Sequence, residues 1–190
     1  MERISGFDMI IVGSGAAGLS AALGAEASRV LIVTKTPTLS GGSTFWAQGG
    51  IAAAVGPDDS CELHTSDTLI AGAGLCNRDA VQDLTENGPS AIKFLESFGV
   101  HFDREKHDGP YSLSREGSHS RDRILHAGGD ATGRSISLAL AEKVKNTPRI
   151  EVLTDTLAWK PVIRRGAVSG LLAYHKEKGP LLIEARIVVI

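Results

Sequence analysis

Three glycines, Gly13, Gly15 and Gly18, stand at the spacing G-x-G-x-x-G, with Ser14, Ala16 and Ala17 between them. That spacing suits a dinucleotide: the first glycine permits a tight turn, the second lets a pyrophosphate reach the backbone, and the third lets a helix pack close to a strand. The N–H groups and positive dipole end of the following helix then face the phosphates. A purely structural glycine turn has the same pattern; the apolar runs on either side favour the nucleotide. A site for NAD ordinarily adds Asp or Glu about 20 residues on, at the tip of the second strand, to hold the ribose hydroxyls. Here that tip reads Val33, Thr34, Lys35. A hydroxyl and an ammonium stand where the carboxylate would be, which favours FAD over NAD.

A second run, Gly42, Ser43, Thr44, Phe45, Trp46, Ala47, Gln48, Gly49, Gly50, joins small residues, hydroxyls and one amide without any charge. Such a segment can lie along a flat ring system and hydrogen-bond its carbonyls and nitrogens; the plainer alternative is a buried Phe45–Trp46 anchor under a surface loop. A third run, 114–123, concentrates Arg115, Glu116, His119, Arg121, Asp122 and Arg123 without periodicity. Runs of this kind are ordinarily solvated, salt-bridged loops. As a site, the carboxylate can pair with a substrate ammonium and the arginines can fork onto carboxylates. His64, His101, His107, His126 and His175 have no partner pattern and read as structural residues; His119 shows no metal-ligand spacing, and no metal site is expected. Residues 130–134 (DATGR) open a further helix, with Asp130 the expected cap.

These residues need elements to hold them. The apolar run 7–12, a helix over 19–27 and a second apolar run over 29–34 read as a right-handed βαβ unit. Helices are expected over Cys61–Ala71 and 77–98, the latter capped by Asn77, stopped at Gly99 and carrying Val81, Leu84, Ile92, Phe94 and Leu95 on its apolar stripe. Helix returns over 131–145, followed by strands at Ile150–Leu153, Thr156–Arg164, 168–175 and 181–190. The expected fold is α/β: a Rossmann-like FAD-binding domain with a parallel sheet, a helical insertion and a C-terminal antiparallel β-meander. With 20 basic and 22 acidic residues among 190, a net charge of −2 and 42% hydrophobic content, the chain excludes disorder and gives no electrostatic reason for a nucleic acid or membrane partner. Its 22 glycines exceed the usual share of about 7% and must serve particular places. Two cysteines are too few for a disulfide framework or an iron–sulfur cluster, and a reducing, cytoplasmic setting is expected. The uncharged stretch 9–25 holds four glycines and no basic flank, unlike a signal or a membrane span.

Five motifs in order, IIVGSGAAGLSAAL (10–23), GGSTFWAQGGIAA (41–53), DTLIAGAGLC (67–76), SREGSHSRDRILHA (114–127) and DATGR (130–134), resemble the N-terminal part of the L-aspartate oxidases. These belong to the succinate dehydrogenase and fumarate reductase flavoprotein group. In that group the second segment reads S-H-T-x-A-A-[QE]-G-G where its histidine carries covalent FAD. Ser43 takes the histidine's place here, so the resemblance implies noncovalent FAD and speaks against a respiratory succinate dehydrogenase subunit. It places residues 14–17 at the pyrophosphate, Lys35 near the adenosine ribose and residues 43–50 along the flavin. Glu116, in the motif R-E-G-[GS]-H-S, is implied to recognise the substrate amine.

The implied organisation is a βαβ unit over 7–35, a flavin loop over 41–53, a helical and polar insertion over 58–147 and the meander over 150–190. The implied reaction is oxidation of L-aspartate to iminoaspartate, the precursor of quinolinate and hence of NAD, with oxygen or fumarate as electron acceptor and quinolinate synthase downstream. The family's catalytic arginine, substrate-binding histidines, capping domain and A-T-G-G segment are expected after residue 190. The sequence ends in mid-strand, so a longer protein is expected, and these 190 residues alone are not expected to oxidise L-aspartate. Two alternatives stay open: a soluble fumarate reductase or succinate-oxidising relative, and a noncatalytic dinucleotide-binding module.

Overall fold

The structure, a computed structural model, describes residues 1–190. In chain order the elements are β1 (Glu2–Val12), α1 (Ala16–Gly24), β2 (Val30–Val33), α2 (Ser43–Trp46), β3 (Ile51–Ala52), α3 (Cys61–Ala71), α4 (Arg78–Ser97), β4 (Leu113–Ser114), β5 (Ile124–Leu125), α5 (Thr132–Lys145), β6 (Ile150–Leu153), β7 (Thr156–Arg164), β8 (Ala167–His175) and β9 (Gly179–Val189). They divide into two compact units, Met1–Trp46 with Ser137–Ile190, and Ala47–Ile136.

The first unit is built on a six-stranded sheet in the order β6-β2-β1-β9-β8-β7. Its first four strands are parallel, with Met9 opposite Val30, Val30 opposite Ile150 and Ile10 opposite Val188. β2 is buried along its whole length, as expected of a central parallel strand. The chain runs from β1 outward to β2 and β6, then resumes on the other side of β1 at β9. Such a reversal opens a crevice at the carboxyl ends of the strands, where α/β sheets bind ligands. The meander is narrower than the expected 150–190: β6 pairs in parallel with β2, and only β7, β8 and β9 are antiparallel neighbours. The short strands β6 and β2, IEVL and VLIV, are both mainly apolar in sequence, and pairing partners are decided by topology. Phe7, Ile10, Leu31, Val33, Leu171, Leu181 and Ile183 form a core across strands of both kinds.

The second unit holds the small antiparallel sheet β3-β5-β4 and the packed pair α3 and α4. Asn77 caps α4 as expected, its side-chain oxygen accepting from Ala80 N at 3.1 Å. Ser60 does the same for α3 through Leu63 N at 3.2 Å. Val81, Ile92 and Leu95 are buried on α4, but Leu84 is 71% exposed and leaves the expected stripe. It stands at the edge of the stripe beside Leu95, and a stripe covers only part of a helix's circumference.

Candidate functional site

The glycine turn after β1 forms one wall of a cavity of about 460 Å³ in the first unit. Gly13, Ser14, Gly15, Lys35, Ser43 and Thr44 all line it, together with Thr34, Thr36 and residues 156–158. Gly13 has φ +104°, a conformation that a residue with a Cβ adopts only under strain. A Cβ on Gly18 would lie within 2.2 Å of the Gly13 carbonyl oxygen, so the third glycine is required for α1 to start where it does. Ala16, Ala17 and Gly18 form the first turn of α1, which carries no acidic residue. Their N–H groups lack carbonyl partners within the helix and leave its positive end unneutralised. The Ala16 N–H donates to Thr44 Oγ1 at 3.2 Å, tying the second glycine segment to the first.

Hydroxyls line the rest of this cradle. Ser14 Oγ bonds Thr34 Oγ1 at 3.0 Å, and Thr34 Oγ1 bonds Thr36 Oγ1 at 2.9 Å. Lys35 is exposed at the tip of β2. The cavity therefore offers backbone donors, hydroxyls and one ammonium, and the residues lining it include no carboxylate. That donor set and the space left by the glycines fit the phosphates and ribose of a dinucleotide. The sequence reading missed residues 156–158. The amides of Asp155 and Thr156 donate to the carbonyls of Thr36 and Thr34, at 3.2 and 2.9 Å, which brings the start of β7 to the cavity. No local motif marks that approach.

Ser43, Thr44, Phe45 and Trp46 form the single helical turn α2. A buried aromatic anchor is not what the structure contains: Trp46 is 77% exposed, and Phe45 meets it edge to face at 5.3 Å. Ala47, Gln48, Gly49 and Gly50 belong to the second unit, where the Ala47 carbonyl accepts from Gly133 N at 3.1 Å and Gln48 and Gly49 are exposed. From Gly50 the chain enters β3, whose Ile51 pairs with Leu125 of β5. Asp130 is exposed just before α5, and Thr132 Oγ1, at the start of that helix, accepts from the loop amide of Ala127 at 3.2 Å.

Glu116 is exposed, just beyond β4, in the polar run. The segment is more than a solvated loop, because Arg123 is fully buried. Its Nε and Nη2 donate to the two carboxylate oxygens of Asp59 at 2.8 and 2.7 Å, and its Nη1 donates to Asp67 at 2.8 Å and to His119 Nδ1 at 3.3 Å. Asp67 also accepts from the Ser120 N–H at 2.7 Å and the Ser120 hydroxyl at 2.8 Å. Burial opposes ionisation of Asp67, but the Ser120 donors and Arg123 outweigh it and hold its pKa below the ordinary value. Toward the surface, Arg115 pairs with Asp122 at 2.8 Å. The 116–119 turn closes through His119 N to Glu116 O at 3.3 Å and places Ser118 at φ +70°. His64, buried beneath, meets the His119 ring edge on at 5.5 Å, and its Nδ1 has no hydrogen-bond partner. Burial first, and then the nearby Arg123 charge, lower its pKa. Asp59 and Asp67 were not singled out by sequence, since neither acid lies near Arg123 along the chain, and His64 shows no partner pattern there. Among the described residues no cluster can hold a metal ion, and no helix is long and apolar enough to cross a membrane.

A family model described as an FAD binding domain matches residues 8–190. The L-aspartate oxidase of Streptomyces coelicolor is 51% identical over 158 residues, covering 78% of this chain and 27% of that protein. That of Agrobacterium fabrum is 44% identical over 181 residues, covering 95% and 34%. Among solved structures, the Mycobacterium smegmatis Sdh1 complex in the apo form superposes with a TM-score of 0.90 at 32% identity, covering 99% of this chain and 34% of that one. A quinol-fumarate reductase with menaquinol molecules gives 0.87 at 29% identity, covering 100% and 33%. The chain thus spans about a third or less of the length of the L-aspartate oxidases it matches. By the match over residues 8–190, the chain belongs to the FAD binding domain family.

Proposed function

We propose that this chain is the FAD-binding part of an enzyme that oxidises L-aspartate to iminoaspartate. The observation that carries the reading is the pairing, in a chain 44–51% identical to two L-aspartate oxidases, of a dinucleotide cradle with an exposed carboxylate on an anchored loop. FAD, when bound, supplies the two-electron acceptor that takes the Cα hydride. Residues 14–17 would lie at the pyrophosphate, Lys35 near the adenosine ribose and residues 43–50 along the flavin. Thr34, Thr36 and residues 156–158, which line the same cavity, would complete that side. Ser43 has no ring nitrogen to form a histidyl link, so the cofactor is noncovalent. The Glu116 carboxylate pairs with the substrate ammonium and orients the Cα–H bond, and one N–H proton passes to water as the C–N double bond forms.

The electron acceptor would be oxygen, going to hydrogen peroxide, or fumarate, going to succinate. The product chemistry leads to quinolinate and NAD through a quinolinate synthase, in the cytoplasm. A second reading, oxidation of succinate, is favoured by the likeness to the Sdh1 complex and quinol-fumarate reductase. The complete gene product separates the two: oxidation of L-aspartate with acid-releasable FAD is expected. Turnover of succinate alone, or a chromophore retained in the acid precipitate, overturns the reading.

A further inference from the structure

We propose that Arg123 is a positioning residue: by donating to His119 Nδ1 it locks that ring in its Nε2–H form and so fixes the 116–119 turn that presents Glu116. The inference rests on the L-aspartate reading only for what Glu116 binds. A guanidinium has five N–H donors and no acceptor. Here Nε and Nη2 are taken by Asp59, and Nη1 is shared between Asp67 and His119 Nδ1. The nitrogen facing Nη1 must therefore be the unprotonated one, which leaves the ring proton on Nε2.

Of the titratable groups at this site, Arg123 and His64 touch His119 directly, and Asp59 and Asp67 hold the arginine. The two acids hold the guanidinium with both side chains nearly or fully buried, and His64 meets the ring edge on. Protonating His119 at Nδ1 would set an N–H against the guanidinium and break the contact. The residues on either side are fixed as well. Ser120 is held by two bonds to Asp67, and His119 N closes onto the Glu116 carbonyl. Ser118 in the turn keeps a left-handed φ that an unanchored serine would leave. Between Arg123 and Glu116, His119 is thus the link whose ring state decides whether the turn is held.

The test uses the complete gene product with FAD bound and histidine labelled with ¹⁵N. His119→Asn keeps an acceptor close to the position of Nδ1, whereas His119→Leu removes it; both also identify the His119 resonances by their loss. At neutral pH, His119 is expected to show a protonated Nε2 and an acceptor Nδ1. The KM for L-aspartate is expected to stay within about threefold in His119→Asn and to rise about tenfold or more in His119→Leu, with kcat and flavin content nearly unchanged in both. An Nδ1–H tautomer in the unsubstituted protein, or equal KM values in the two variants, overturns the proposal. Should the protein oxidise succinate and not L-aspartate, the proposed function fails, while the tautomer result still decides the role of Arg123.

Discussion

The two candidate regions are built by opposite means. The cradle of the first unit works by removing side chains: Gly13 turns the chain, Gly18 lets the helix approach, and the ligand-facing groups are amides and hydroxyls. The 114–123 loop of the second unit works by burying charge, with one guanidinium gripping two carboxylates and a ring nitrogen. The first should fail by steric intrusion and the second by losing a counter-charge. A backbone cradle suits an invariant ligand whose phosphates can be met by N–H groups. An ion-paired loop suits one carboxylate held in a set orientation.

The largest expected effect tests the charged region. Asp59→Ala leaves the buried Arg123 with one carboxylate, and a loss of about 3–5 kcal/mol is expected in urea unfolding. A loss below about 1 kcal/mol would show the guanidinium to be solvated in solution. The cradle is tested by Gly18→Ala, whose Cβ meets the Gly13 carbonyl. Overpacking of about 1–3 kcal/mol is expected, and a weakening of FAD binding by about tenfold to a hundredfold in fluorescence titration. Unchanged affinity would remove the cradle from the cofactor site.

Smaller effects sharpen the contrast. Ser118→Gly relieves a left-handed φ at an exposed position and should raise stability by about 0.5–1 kcal/mol, seen as a higher midpoint of unfolding. A fall would mean that the serine side chain holds the turn. The smallest effect is in pH dependence. His64 has a folded pKa below 6.5, so the unfolded chain binds its proton first and stability is fully present above pH 6.5 and declines as pH falls toward the folded value. His64→Leu should flatten that part of the stability profile, and an unaltered slope would assign it to another group.

The same contrast explains what could be read without coordinates. The glycine turn, the capping Asn77, α3 and the strands β6 and β7 depend on neighbours in sequence, and each was legible there. Gly13, Gly15 and Gly18 announce their role because a missing Cβ is written in the residue type itself. Arg123 does not, because its carboxylates lie 64 and 56 residues away at Asp59 and Asp67. A charge run looks the same whether its arginine faces water or the interior. For the same reason β6 read as part of the meander, and residues 156–158 went unnoticed as cavity wall. Trp46 shows the converse: an aromatic pair offers a core as the plainer alternative, and the single turn of α2 leaves the indole exposed.

The division of labour between cradle and loop is tested most directly by Glu116→Gln in the complete gene product, comparing KM for L-aspartate with flavin content. Exchanging the carboxylate for a neutral amide should raise KM about tenfold to a hundredfold, the loss of one charge-assisted contact, while bound FAD stays at the unsubstituted level. An unchanged KM, or loss of FAD with KM, would contradict the assignment of substrate orientation to this loop.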